Sequence, residues 1–106
     1  APAAPPSWAG PASCYTLLKN MFDPDSEDAR EDPDFFLDVK EDLEDEAGKH
    51  GEVLDVKVIK DSQGHVYLRF RDEAGATAAI GALNGRWFSG KQLEAGNVAE
   101  AEFEKA

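Results

Sequence analysis

Asp38, Asp42 and Glu46 stand at i, i+4 and i+8, a spacing that stacks carboxylates along one face of a helix. Glu41, Glu44 and Asp45 thicken that field, and Lys40 is the only basic residue between Asp38 and Glu46. Like charges at this spacing each cost a helix a few tenths of a kcal/mol. An uncompensated stripe of them therefore suits a cationic guest, although a charge run is more often a plain solvated face. Further along, Arg86-Trp87-Phe88 places a guanidinium beside two aromatic rings in a connecting segment, where exposed rings are costly. Their plainer role would be to plug the base of the core. Their chemical potential is different: an arginine stacked on a flat ring contributes ~0.5–2 kcal/mol. Carboxylates and stacking groups of this kind can recognise a basic, ring-bearing ligand.

Bond-making chemistry has no comparable support. His50 and His65 fall far apart in the order of elements below, and neither a Ser/Cys/His pairing nor a phosphate-binding glycine loop is present. Asp23-Pro24-Asp25-Ser26-Glu27-Asp28 is acidic enough to suggest calcium, but it lacks the central glycine and terminal glutamate of an EF-hand loop. Cys14 is the single cysteine, so it has neither an internal disulfide partner nor a CxxC mate for zinc. The expectation is a non-enzymatic chain that requires no metal and no cofactor. Its net charge of -11 and pI near 4.4 oppose a polyanionic ligand, because nucleic-acid binders draw most of their non-specific affinity from cationic contacts to phosphate. A basic partner fits better. No apolar run approaches the ~18 residues that span a bilayer.

The elements that must hold these residues can be read from period and punctuation. Residues 1–12 carry no periodicity and read as a disordered Pro/Ala-rich linker, with Trp8 an ordinary tail tryptophan. The domain is expected over residues 13–99, and the charged residues 100–106 read as a C-terminal tail. Cys14 to Asn20 is apolar and aromatic enough for a first strand. A turn-rich acidic loop follows, and Asp32 with Pro33 predicts a helix start, Asp32 as the cap. Phe36, Val39, Leu43 and Ala47 give that helix one buried stripe, and Gly51 closes it after Lys49 and His50. Val53–Ile59 and His65–Phe70 alternate as strands around an Asp61-Ser62-Gln63-Gly64 turn. Glu73 to Leu83 predicts a second helix, capped by Asp72 and stopped by Asn84-Gly85, and a short fourth strand is expected near Gln92–Val98. The order β-α-β-β-α-β is that of an α+β, ferredoxin-like fold, with a four-stranded antiparallel sheet and two helices on one face.

Within that order, Gln63-Gly64-His65-Val66-Tyr67-Leu68-Arg69-Phe70 lies on the third-strand frame of the RNA recognition motif, which the chain resembles. Such modules stack bases on aromatics of strands one and three. Here the leading basic residue is Gln63, the first stacking position is His65, and its counterpart on strand one is Leu17. Tyr67 alone survives as a full platform. Each lost stack costs ~1–3 kcal/mol. Single-stranded RNA on the sheet, through Leu17, His65 and Tyr67, is therefore the alternative reading and not the leading one.

A second resemblance is carried by Glu46-Ala47-Gly48-Lys49-His50-Gly51 at the end of the acidic helix together with Arg86-Trp87-Phe88 before the last strand. It is to the U2 auxiliary factor homology motif, or UHM, family of splicing factors. With Asn20-Met21-Phe22 and Asn84 to Lys91, the chain is most similar to the C-terminal domain of the CAPER-alpha-type subgroup. The resemblance covers about Cys14 to Val98. It implies a protein-interaction module that binds a linear peptide built around one Trp preceded by basic residues. It further implies a splicing-factor partner, a nuclear location, a monomer, no membrane, and any RNA contact made by other domains of the parent protein. Carried over by position, the guest Trp would sit between the helices against Phe88, with Arg86 flanking it. Glu46 would pair with Arg86, Asp38 and Asp42 would meet the basic residues, and Trp87 would pack the loop.

Overall fold

The computed structural model describes residues 8–10, 12–22, 27–59, 64–88 and 91–105. The chain runs β1 (Tyr15–Lys19), α1 (Glu27–Glu31), α2 (Phe35–Gly48), β2 (Val53–Ile59), β3 (His65–Phe70) and α3 (Glu73–Leu83). It continues through β4 (Trp87–Phe88), β5 (Lys91–Gln92), β6 (Glu94–Asn97) and α4 (Glu100–Lys105). Strands β2-β3-β1-β6 form one antiparallel sheet in that order, with β1 flanked by β3 and β6, and β4 and β5 make a separate two-stranded hairpin. This is the expected ferredoxin-like fold.

Register sorts the side chains. Leu18 pairs with Val66 and Ala95, and Val56 with Leu68; these residues join Phe70 and the buried stripes of α2 and α3 in one core. The α2 stripe is Val39, Leu43 and Ala47, and that of α3 includes Ala76, Ala79 and Leu83. Small residues on α3 let that helix lie close to the sheet. Phe36, expected in the same stripe as Val39, is only half-buried. It forms a near-perpendicular trio with Phe22 and Phe35, centroids 5.2–6.1 Å apart, which pins the start of α2 to the end of β1.

Strands β2 and β3 and helix α3 lie where sequence placed them, and the Asp72 carboxylate caps α3 by accepting the Gly75 amide at 2.7 Å. Several segments differ, the β4–β5 hairpin among them. Helix α2 starts later than expected, because Asp32 closes a turn instead of capping: its carboxylate accepts the Asp34 amide at 2.9 Å and its carbonyl the Phe35 amide at 3.1 Å. Helix α2 also ends at Gly48, ahead of Lys49 and His50. In the acidic stretch read as loop, residues 27–31 are helical. The segments expected to be featureless at both ends are ordered in part. Gly10 donates to the Asn97 carbonyl at 2.9 Å, and residues 100–105, read as tail, form α4 with Phe103 buried. Each is held by contacts distant in sequence, which no local period announces. The Asp61–Gln63 part of the predicted turn lies outside the described residues.

Gly51 marks a tight crossing. A methyl group there would lie 2.5 Å from the Gly75 Cα, where the chain leaving α2 meets the first turn of α3. Gly48 has nothing within 4 Å of the same position. Gly51→Ala should destabilise the fold by ~1–3 kcal/mol through overpacking, whereas Gly48→Ala should be neutral or stabilise by up to ~1 kcal/mol. Urea denaturation of both variants checks this, and equal midpoints would contradict the crossing.

Candidate functional site

Two surfaces carry the residues singled out by sequence: a groove on the helix side and the outer face of the sheet. The groove lies between the C-terminal half of α2 and the segment that follows α3, and encloses about 160 Å³. Met21, Leu43, Leu83 and Leu93 make its apolar floor; Asp42, Asp45 and Glu46 stand on one side and Arg86 on the other.

Local chemistry builds each wall. Asn20 adopts a left-handed φ of 68° at the end of β1, a conformation asparagine tolerates better than most residues, and Met21 follows it into the floor. The Asn20 side-chain amide donates to the Gln92 carbonyl at 3.1 Å, and the Met21 amide to the Gly64 carbonyl at 3.0 Å, so this corner is tied on both sides. On the far wall the Gly85 amide donates to the Leu93 carbonyl and the Leu93 amide to the Arg86 carbonyl, both at 2.8 Å. The Asn84 side-chain oxygen accepts the Ala95 amide at 3.1 Å. Arg86 thus projects from hydrogen-bonded backbone and not from a loose loop.

Arg86 Nη1 donates to Glu46 Oε2 at 2.8 Å, and Lys49 Nζ approaches the other carboxylate oxygen at 3.4 Å. The hydrogen bond and charge of Arg86, then the charge of Lys49, hold the Glu46 carboxyl below its ordinary range. Arg86 remains half-exposed while its guanidinium is engaged by Glu46. Of the other expected carboxylates, Asp42 lines the groove and Asp38 does not; Asp45 does. Trp87, expected to pack the loop, is 67% exposed and lines no part of the groove. The backbone of Phe88 pairs with Lys91 in the hairpin, and its side chain lies outside the described part. Sequence reasoning missed Met21, Leu83 and Leu93 as lining, because a groove floor has the same apolar signature as a core.

The outer sheet face carries Leu17, His65 and Tyr67 together, along with Tyr15, Lys19 and Lys57, as the register requires. It is covered. Phe103 of α4 packs on Tyr15 and Tyr67, centroids 5.1 and 6.3 Å away, and Lys57 Nζ sits 4.4 Å over its ring. Lys57 also donates to the Phe103 carbonyl at 3.0 Å, and the Tyr67 hydroxyl to Glu102 Oε2 at 3.3 Å. Burial, then the Glu102 charge, pushes the Tyr67 phenol up, and burial, then Lys19, pushes the His65 imidazole down. On the β6 side Trp8 rests on Gly96 with Lys19 Nζ 4.6 Å from its ring. Leu17 is left only 4% exposed. Among the described residues no group of three or more His, Cys, Asp or Glu side chains is placed to hold a metal ion.

Comparison with known proteins agrees with this architecture. Residues 39–94 match the RNA recognition motif family. The chain is 35% identical over 80 residues to the human 17S U2 SnRNP complex component HTATSF1. It is 32% identical over 88 residues to a U2af large-subunit splicing factor of Arabidopsis thaliana. These alignments cover 74% and 76% of the chain but only 10% and 15% of the relatives. Among solved structures, the RNA15 RRM superposes with a TM-score of 0.62 at 19% identity, covering 89% of this chain and 99% of that one. By motif, fold and relatives, this chain belongs to the RNA recognition motif family, a family of binding domains rather than enzymes.

Proposed function

We propose that the chain is a UHM-type member of this family: a protein-interaction module of a nuclear pre-mRNA splicing factor, which takes a basic linear peptide through its single Trp. The observation that carries this reading is the groove itself, an apolar floor between the Asp42, Asp45 and Glu46 carboxylates and the Arg86 guanidinium. A buried indole removes ~200 Å² from water, worth ~5 kcal/mol at ~25 cal/mol per Å² before ordering costs. Stacking on Arg86 adds ~0.5–2 kcal/mol. The exposed carboxylates contribute only ~0–1 kcal/mol per pair but steer and orient a cationic peptide. After the entropy of fixing a disordered segment, roughly micromolar affinity remains, which suits a reversible assembly step. The relatives, a U2 snRNP complex component and a U2af splicing factor, point to partners in the same machinery. The covered sheet weighs against RNA as the primary ligand, since Tyr67 and Leu17 already have protein against them.

Calorimetry with a Lys/Arg-rich peptide containing one Trp, beside its Trp→Ala counterpart, tests the proposal. Micromolar binding that vanishes in the counterpart is expected; equal binding by both would reduce the site to nonspecific charge attraction. Phe88→Ala should cost ~2 kcal/mol or more of peptide affinity, as a central anchor does, and Arg86→Ala should weaken binding, while Tyr67→Phe on the opposite face should leave it unchanged.

The Arg86–Glu46 contact makes a separate prediction. Because the folded-state pKa of Glu46 is shifted down, whatever stability the pair contributes is present above the unfolded carboxylate pKa and disappears as pH falls through the lowered folded value. NMR titration of the Glu46 side-chain carboxyl should show a midpoint below that of an ordinary glutamate, moving up toward it in Arg86→Ala. A midpoint indifferent to that substitution would remove Arg86 as the cause.

A further inference from the structure

The alternation of hydrogen bonds across the sheet decides which backbone groups of β2 look outward. The Phe70 amide donates to the Cys14 carbonyl at 2.8 Å, so Leu68 and Val66, in step with Phe70 along β3, also turn their backbone groups to β1. Tyr67 and His65 turn theirs to β2, where they meet Lys57 and Ile59. The amides and carbonyls of Val56 and Val58 therefore face away from the sheet. Among the described residues no strand pairs with that side of β2. The Val56 amide donates to the side chain beside it, Asp55 Oδ1, at 2.9 Å. Between Val53 and Asp55 the register shifts against β3, which leaves Leu54 as an extra, half-exposed residue. Leu54 borders a recess of about 120 Å³ together with Lys40, Glu44, Asp55 and Val56. Leu37, half-exposed as well, shares a helix face with Lys40 and Glu44 at i, i+3 and i+7.

We propose that the β2 edge and the adjoining side of α2 form a docking surface for an extended, basic segment of another protein, which adds to the sheet as a strand beside β2. The outward donors and acceptors of Val56 and Val58 are the groups that strand addition uses. Leu54 and Leu37 supply apolar contacts on either side of them. Charge selects the occupant. Asp38, Glu41, Glu44 and Asp55 are all exposed here, and Lys40, 3.9 Å from Glu44, offsets only part of their charge. A second copy of the chain would bring a net charge of -11 against the same charge, which disfavours it. Asp55 makes the edge selective. In the free chain its carboxylate holds the Val56 amide, and a charge on an edge strand discourages indiscriminate pairing. When a guest carbonyl takes that amide, the displaced carboxylate is left to pair with a Lys or Arg of the guest. The recess lies on the β2 side of α2 and shares no lining residue with the groove, so the inference is independent of the Trp-peptide reading.

NMR titration of the isotope-labelled 106-residue chain with an acetylated, amidated heptapeptide of alternating Lys and Val tests this, because the probe carries no Trp for the groove. Saturable shifts of the amides of residues 53–58 are expected, with slower hydrogen exchange at Val56. The same peptide N-methylated at every backbone amide keeps its charge and side chains but cannot pair as a strand. It should bind at least about tenfold more weakly. Leu54→Ser, at a half-exposed side chain, should weaken binding about three- to tenfold. Asp55→Asn keeps an acceptor beside the Val56 amide but loses the charge, and should weaken binding about two- to fivefold at low salt. Circular dichroism must report a folded domain for both variants. Equal affinity for the two peptides would leave only charge attraction and overturn the proposal, as would unaltered binding by both folded variants. Shifts absent from residues 53–58, or centred on Leu43 and Arg86, would place the peptide elsewhere and overturn it too. Concentration-dependent shifts of residues 53–58 without peptide would make the occupant a second copy, against the basic partner proposed.

Discussion

Strand β1 is buried on both sides, and most of the structure answers to that constraint. It is an interior strand, hydrogen-bonded to β3 and β6, and its side chains alternate between two layers. Leu18 enters the core under α2 and α3, while Tyr15, Leu17 and Lys19 point the other way. Leu17 decides what the outer layer becomes. A leucine left bare in the middle of a sheet forfeits ~1.5–3 kcal/mol relative to a buried one, and unlike an aromatic ring it offers a base little in return for being open. Covering it is the stable solution: Leu17 is only 4% exposed, and Phe103 and Trp8 lie on its face of the sheet. Replacement of a stacking residue by an aliphatic one and closure of the face over it are two aspects of one physical choice.

The distribution of charge follows the same division. Carboxylates concentrate along α2, where Asp42, Asp45 and Glu46 border the groove. Lys19, Lys57 and Arg69 lie on the outer face of the sheet, and the ammonium groups of Lys19 and Lys57 are engaged by the covering rings. A net charge alone describes neither surface. It averages over Lys19, Lys57 and Arg69 on the outer face, beside which the register also places Asp55 and Glu94. Exposed pairs such as Arg86–Glu46 and Arg71–Glu52 contribute little stability in water; their value lies in fixing where a guanidinium stands.

What could be read from sequence divides along the range of the interactions involved. Strand β3 and helix α3 were legible to the residue because alternation at Val66, Leu68 and Phe70, and a cap at Asp72, are local signals. The start of α2 was misplaced by competition between two local roles for Asp32, cap and turn, which only the backbone resolves. Helix α4 could not be seen at all: Phe103 is one apolar residue among charged neighbours, and its burial depends on Tyr15 and Tyr67, far away in the chain. The β4–β5 hairpin, two residues a side, is too short to show a period. For the groove, the polar rim at Asp42, Glu46 and Arg86 was legible and the floor was not. Charges on a helix stripe and an arginine beside aromatics stand out against composition, whereas Met21, Leu83 and Leu93 look like any other core residues and are in fact nearly fully buried.

That asymmetry bears on which surface can bind tightly. Exposed charge pairs such as a polar rim could form with a ligand act on orientation and encounter rate, and each is worth ~0–1 kcal/mol. The apolar floor is where a guest ring would gain several kcal/mol, and the floor is also part of the fold: Leu43 and Leu83 belong to the buried cluster that holds α2 and α3 on the sheet. Its shape is therefore fixed before any ligand arrives, which lowers the ordering cost of binding. The outer face has the reverse design, with polar contacts available and its apolar surface already satisfied by the chain's own aromatics. A ligand for the groove has only to displace water, whereas a ligand for the sheet has to displace Phe103 and Trp8. On the sheet, the two tyrosines that could stack on a ligand are already packed against Phe103.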